Sequence, residues 1–175
     1  MAAATAEMRT FWCSSTTVAP INPQFMEEAV QEAINGMTQG KGGPFGAVIV
    51  QDGKIVAKGH NQVLHDCDPT AHAEITVIRR ACENLQKYDL SGCVLYTSCY
   101  PCPMCMGAAL WARLDAIYYG ATSAEAAAVG FSDAEFHEFL KNPKSDSKRS
   151  LECIKLDDVT RPFRIWHEME NKQPY

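Results

Sequence analysis

The chain reads as an α/β domain, a three-layer helix–sheet–helix sandwich with a mixed central sheet. Three observations predict it. An apolar-periodic helix comes first, an Asp52-Gly53 turn between two apolar runs then marks a hairpin, and helices alternate with short strands thereafter. No internal repeat or interdomain linker interrupts that order, so residues 22–175 are expected to form a single domain.

Each element has its own signal. Asn22-Pro23 is a cap and first-turn pair, and Phe25, Met26, Ala29, Val30, Ala33, Ile34 and Met37 recur at helical spacing over 23–39. Gly40, Gly42, Gly43 and Pro44 end that helix. The apolar runs 47–50 and 55–57 pair across Asp52-Gly53. A second helix is expected over 71–87 through Ile75, Ile78, Cys82 and Leu85, and a strand over Cys93–Thr97. A third helix over 102–113 and a strand over Ala116–Gly120 follow. Residues 123–140 read as helical in pieces and 141–150 as a charged loop. A last short strand near Cys153–Leu156 and a helix over 163–172 complete the chain. Residues 1–21 are rich in Ala, Ser and Thr, with Arg9 the lone basic residue. They lack the apolar core of a secretory signal and the arginines of a transit peptide, and read as a disordered N-terminal arm.

Composition narrows the function classes. Net charge is −5 and the isoelectric point about 5.5, whereas a chain that tracks a phosphate backbone usually shows a basic surface. The balance favours a small-molecule substrate over nucleic acid. No apolar run reaches the roughly 18 residues of a membrane span. Of the eight cysteines, Cys13, Cys67, Cys82, Cys93, Cys99 and Cys153 follow no disulfide spacing. Cys82 and Cys93 fall in apolar patterns as buried thiols, and Cys99 is either a spare metal ligand or wall packing. A reducing compartment, the cytoplasm, is the expectation.

The chemistry is concentrated in Pro69-Thr70-Ala71-His72-Ala73-Glu74 and Pro101-Cys102-Pro103-Met104-Cys105. His72, Cys102 and Cys105 can give one zinc ion three ligands, and no fourth is offered. Three ligands and an open position form the catalytic pattern, whereas a structural zinc is closed by four. Both motifs fall at expected helix N-termini, whose partial positive charge stabilises thiolates. Glu74 is close enough to reach a metal-bound water and to move its proton to a ring nitrogen. Read blandly, it is a helix-capping carboxylate.

This His-x-Glu…Pro-Cys-x-x-Cys arrangement resembles the zinc nucleobase deaminases of the cytidine-deaminase-like superfamily. Three further stretches, Gly42 to Val50, Tyr96-Thr97-Ser98-Cys99 and Trp111-Ala112-Arg113, are similar to bacterial guanine deaminases and plant guanosine deaminases, as are Gly130-Phe131 and the terminal Tyr175. The resemblance implies hydrolysis of guanine to xanthine and ammonia. It implies that Phe45 stacks on the purine, that Asn61 hydrogen-bonds its ring, and that Ala73, Trp111 and Tyr175 belong to the substrate site. Asp133 would be the second carboxylate, which handles the departing ammonia, with Glu135 its rival. Each has a plain alternative: core packing for Phe45 and Trp111, capping for Asn61 and Asp133, disorder for Tyr175. Tyr100 departs from the family pattern, in which glutamate usually precedes Pro101.

The rival activities are guanosine deamination and tRNA adenosine deamination. The second shares the metal motif, but calls for a basic terminal helix where Phe163 to Glu170 carries mixed charge. A non-catalytic scaffold would not need all of His72, Glu74, Cys102 and Cys105. The resemblance also implies a homodimer that exchanges C-terminal segments, the terminal tyrosine covering the partner's site. Phe163, Trp166 and Tyr175 make the tail more apolar than a free terminus usually is, and Lys144–Ser150 reads as its polar hinge.

Overall fold

The computed structural model describes residues 20–175. All but the last two positions of the expected N-terminal arm lie outside them.

Helix α1 spans Pro23–Thr38, and Asn22 caps it by accepting from the Gln24 N–H at 3.0 Å. Strands β1 (Gly46–Gln51) and β2 (Lys54–His60) form the hairpin, with Asp52 and Gly53 both at positive φ. The two-residue turn therefore has the left-handed geometry that matches strand twist. Strands β3 (Cys93–Cys99) and β4 (Ala116–Ala121) complete a sheet of order β2-β1-β3-β4. β1 runs antiparallel to both neighbours, and β3 and β4 are parallel.

Alternation along the central strands builds two cores, one on each face. Val48, Val50, Val94 and Tyr96 pack with Ala29 of α1. Ala47, Ile49, Cys93 and Leu95 pack with Ala73, Val77 and Ala81 of α3 (Ala73–Leu85). The same cluster takes in Ala112, just beyond α4 (Pro103–Trp111). The expected sandwich is the observed one. A four-residue helix α2 (Val63–Asp66), which no periodicity announces, joins β2 to α3.

Helices α5 (Ser123–Ala128), α6 (Ala134–Lys141) and α7 (Arg161–Glu168) follow the sheet. Two expectations are corrected here. Cys153–Leu156 forms no strand, because it is exposed and lies beside none of the four strands. The last helix begins at Arg161, where Pro162 fits the first turn, and ends at Glu168. The charged loop contains a 3-10 turn, Pro143–Ser145. No described helix is long and apolar enough to cross a membrane.

Candidate active site

His72 and Cys102 occupy equivalent places, each the N-cap of its helix with an extended backbone (φ −66° and −63°). One residue into its helix the chain would have turned these side chains onto the helix surface; at the cap they project beyond its end. Cys105 lies on the first turn of α4 and is fully buried. The His72 Nδ1 atom is 3.6 Å from Cys102 Sγ and 3.5 Å from Cys105 Sγ. All three donor atoms lie within 4.8 Å of one another. Two donors at zinc-to-nitrogen and zinc-to-sulfur distances from one tetrahedral centre are about 3.6 Å apart. The observed separations are therefore edges of a zinc-sized tetrahedron, and the site fits zinc.

The electrostatics agree with that donor set. The Cys102 thiol is pulled down to about 4, chiefly by the hydrogen bond it takes from Cys105, with His72 adding to the effect. Cys105 is pushed up as the donor in that bond and by burial. A bound dication would hold both sulfurs as thiolates. Cys99 stays outside the ligand cluster and lines the cavity wall, its thiol pushed up by burial.

Glu74, on the first turn of α3, is only 6% exposed. Its Oε1 accepts from the Thr97 hydroxyl at 3.0 Å and its Oε2 from the Cys105 thiol at 3.4 Å. Burial raises its pKa, which the Thr97 bond partly offsets. A carboxylate held above its usual range beside a metal site is suited to move a proton. The first-turn N–H of Glu74 itself also favours the charged form, so the capping reading holds beside the contacts that turn both oxygens to the site. Thr97 belongs to the Tyr96–Cys99 stretch that carries the resemblance, but the sequence gives it no chemical role. The signal was strand parity, since Thr97 follows Leu95 by two and so faces α3.

His72, Glu74 and Cys102 line a cavity of about 520 Å³, ordinary for a small-molecule site. Phe45 and Phe131 stand on its wall in an edge-to-face pair, centroids 5.0 Å apart. Asn61 also lines it, and its side chain makes the turn-capping bonds that the sequence allowed. Its Oδ1 accepts from the backbone N–H of Gly43 at 3.3 Å and Val63 at 3.1 Å. That fixes the amide orientation and leaves Nδ2 without a protein partner among the described residues. Gly42 is required by this arrangement, because a Cβ there would lie 2.0 Å from Asn61 Oδ1.

Asp133 lines the cavity, whereas Glu135 does not. Glu135 pairs instead with Lys148 at 2.6 Å and Arg149 at 3.3 Å, and these contacts lower its pKa. Arg149 also pairs with Asp146 at 3.0 Å and lies over the Phe139 ring. The expected hinge is thus pinned to α6 before the tail departs. Tyr100 stands at the rim, edge-on to Tyr119. Three expected substrate residues lie elsewhere in this chain. Ala73 is buried in the core, and Trp111, 70% exposed, meets Tyr175 outside the cavity at 6.3 Å between centroids. Tyr88 flanks the same tyrosine.

Comparison with known proteins places this geometry. Residues 21–121 match the cytidine and deoxycytidylate deaminase zinc-binding region. The guanine deaminase of Bacillus subtilis is 46% identical over 151 residues, covering 86% of this chain and 97% of its own. Its crystal structure superposes with a TM-score of 0.86 at 44% identity, over 89% of this chain and 99% of that one. The guanine deaminase structure from Nitrosomonas europaea gives a TM-score of 0.59 at 31% identity, covering 62% and 63%. A tRNA-specific adenosine deaminase of Agrobacterium fabrum is 44% identical over 105 residues, 60% of this chain and 68% of its own. With a His72, Cys102 and Cys105 site of zinc dimensions and likeness over nearly the whole of one such enzyme, the chain belongs to the cytidine and deoxycytidylate deaminase zinc-binding family, alongside the bacterial guanine deaminases.

Proposed function

We propose that the protein hydrolyses guanine to xanthine and ammonia. The extent of the likeness to guanine deaminase carries this reading. A match of 151 residues in a chain of 175 takes in the Gly130–Asp133 loop that closes the cavity, beyond the metal-binding region itself.

Zinc held by His72, Cys102 and Cys105 supplies the Lewis acidity that makes water nucleophilic near neutral pH. The purine stacks on Phe45, which Phe131 braces from its edge. Asn61 donates its free Nδ2–H to a ring acceptor, its oxygen being committed to the backbone. Glu74 takes a proton from the attacking water and delivers it to the ring nitrogen beside the carbon that is attacked. Asp133, which also lines the cavity, carries the second proton from the adduct's hydroxyl to the amino group, which leaves as ammonia. Water adds, ammonia leaves, and the ring keeps a carbonyl.

The working unit is a symmetric homodimer with exchanged tails. Every residue from Ser147 to Asn171 is exposed. The run includes Phe163, Ile165, Trp166 and Met169, while Leu110, Trp111 and Leu140 stay uncovered on the domain. Two exposed apolar surfaces in one chain favour mutual burial between copies. Tyr175 lies away from its own cavity, so a tyrosine lid comes from the second chain. All described cysteines are free thiols, which supports a cytoplasmic location.

Ammonia release from guanine, guanosine, deoxyguanosine, cytidine and adenosine tests the substrate. Guanine should dominate; cytidine preference or activity confined to a tRNA would refute it. Strong guanosine turnover would move the substrate to the nucleoside with the same residues in the same roles. Light scattering at micromolar concentration should report a dimer, and deleting Gln173–Tyr175 should keep zinc but cut turnover strongly. A monomer, or a fully active truncation, would refute the shared site.

A further inference from the structure

Asp133 stands at the N-cap of α6, yet its side chain makes no capping hydrogen bond. An aspartate in that place normally turns its carboxylate onto the N–H groups of the first turn. Here Asp133 Oδ2 lies 3.2 Å from His137 Nε2, one helical turn further on. An ionised carboxylate can only accept, so Nε2 carries the hydrogen. This is the one side-chain hydrogen bond of Asp133 among the described residues. It leaves Oδ1 to the cavity that Asp133 lines.

We propose that His137 is a positioning residue: its Nε2–H holds Asp133 in the orientation that presents Oδ1 to the cavity and keeps it off the helix end. The inference rests on reading Asp133 as the carboxylate that carries the second proton to the leaving amino group. The neighbouring charges are otherwise engaged. Glu138 pairs with Lys141 at 2.7 Å, and Glu135 with Lys148 and Arg149. From other elements, Glu125 of α5 is closed in a capping box with Thr122, and Glu74 of α3 is held by Thr97 and Cys105. Among the described residues none of these competes for the Asp133 carboxylate. Without His137, the open alternative for Asp133 is the ordinary cap, pointing away from substrate.

His137→Ala, His137→Gln, Asp133→Asn and the double variant Asp133→Asn/His137→Ala test this with zinc loaded. His137→Ala should lower kcat about tenfold with KM changed less than twofold. Zinc content should hold and Tm should not fall, since the freed carboxylate can cap α6. His137→Gln, which keeps a donor, should recover most of kcat. In the Asp133→Asn background, His137→Ala should cost nothing further, because the two residues act as one unit. Wild-type kcat in His137→Ala, a glutamine variant as poor as the alanine one, or additive losses in the double variant would each overturn the role. Full turnover in Asp133→Asn alone would overturn the reading of Asp133 itself, and His137 with it.

Discussion

Thr97→Val isolates the part of the site to which the sequence gives no chemical role. The Thr97 side chain is 1% exposed and gives Glu74 Oε1 its hydroxyl hydrogen at 3.0 Å. Valine has the same branched shape and suits a central strand, so the change removes the donor and leaves the packing. Once zinc takes Cys105 as a thiolate, that sulfur no longer donates to Oε2, and Thr97 is the remaining side-chain donor to the carboxylate. A hydrogen bond to a charged group contributes about 1.5–3 kcal/mol. At about 1.36 kcal/mol per decade, its loss from the proton-transfer step predicts kcat about 10- to 150-fold lower. The bond also favours the charged form of Glu74, so its loss raises the Glu74 pKa further. The acidic limb of the pH–rate profile should therefore move to higher pH, Glu74 needing to be ionised to accept a proton. Steady-state kinetics across pH, with elemental zinc analysis and a melting curve, measure all of this, and Thr97→Ser should stay close to wild type. A Thr97→Val enzyme within twofold of wild-type kcat, with zinc and fold intact, would show that the hydroxyl does not orient Glu74.

Three other outcomes are expected. Glu74→Gln should retain zinc and fold but lose about 10²–10⁴-fold in turnover, and a variant keeping most activity would place proton transfer on another group. Zinc removal by chelation should abolish turnover and lower thermal stability. With zinc a thousandfold above its Kd the stabilisation is about 4 kcal/mol, or about 8–16 °C for a domain of this size, and calorimetry of the apo and reloaded forms reads it. Gly42→Ala would drive a Cβ into Asn61 Oδ1 and should raise KM for guanine about tenfold or more with zinc content unchanged, measured by initial rates and elemental analysis.

The metal ligands and Glu74 were legible because their chemistry lies in two short segments whose spacing is itself the signal. Asn61 was legible only as two competing readings, since capping a turn and meeting a ligand both call for the same side chain; in the structure its Oδ1 takes the turn and its Nδ2 has no protein partner among the described residues. Thr97 was hidden because a buried threonine in an apolar strand looks like packing, and only its parity with Leu95 directs it at Glu74. Which of Asp133 and Glu135 borders the cavity could not be read from order alone. It turns on where Lys148 and Arg149 fold back, thirteen and fourteen residues beyond Glu135. The misplaced strand at Cys153–Leu156 has a related cause. Its residues suit a strand, but pairing needs a neighbour, and this segment has left the sheet.

The strand order explains why one end of the sheet collects the whole site. β1 is antiparallel to both neighbours, so its beginning lies beside the ends of β2 and β3, with Gly46 opposite His60 and Ala47 opposite Thr97. β4 runs parallel to β3 and finishes at the same edge, Cys99 beside Ala121. The residues just outside these four strand ends are Phe45, Asn61, Tyr100 and the approach to Ser123, and all four border the cavity. The helices that follow β2 and β3 must return across the sheet, so their N-termini start at this edge too, which brings the caps His72 and Cys102 together. Crevices beyond the carboxyl ends of strands are the usual ligand sites of open α/β sheets. Here the reversed first strand adds an aromatic wall that an all-parallel sheet would have placed at the opposite end. A variant that shifted β1 by one residue would turn Ala47 and Ile49 away from α3. It would displace Phe45 from the cavity and strip α3, which His72 caps, of its packing against β1. The metal site and the aromatic wall therefore depend on the same register of β1, and joint loss of zinc and turnover is the expected signature of damage to that strand.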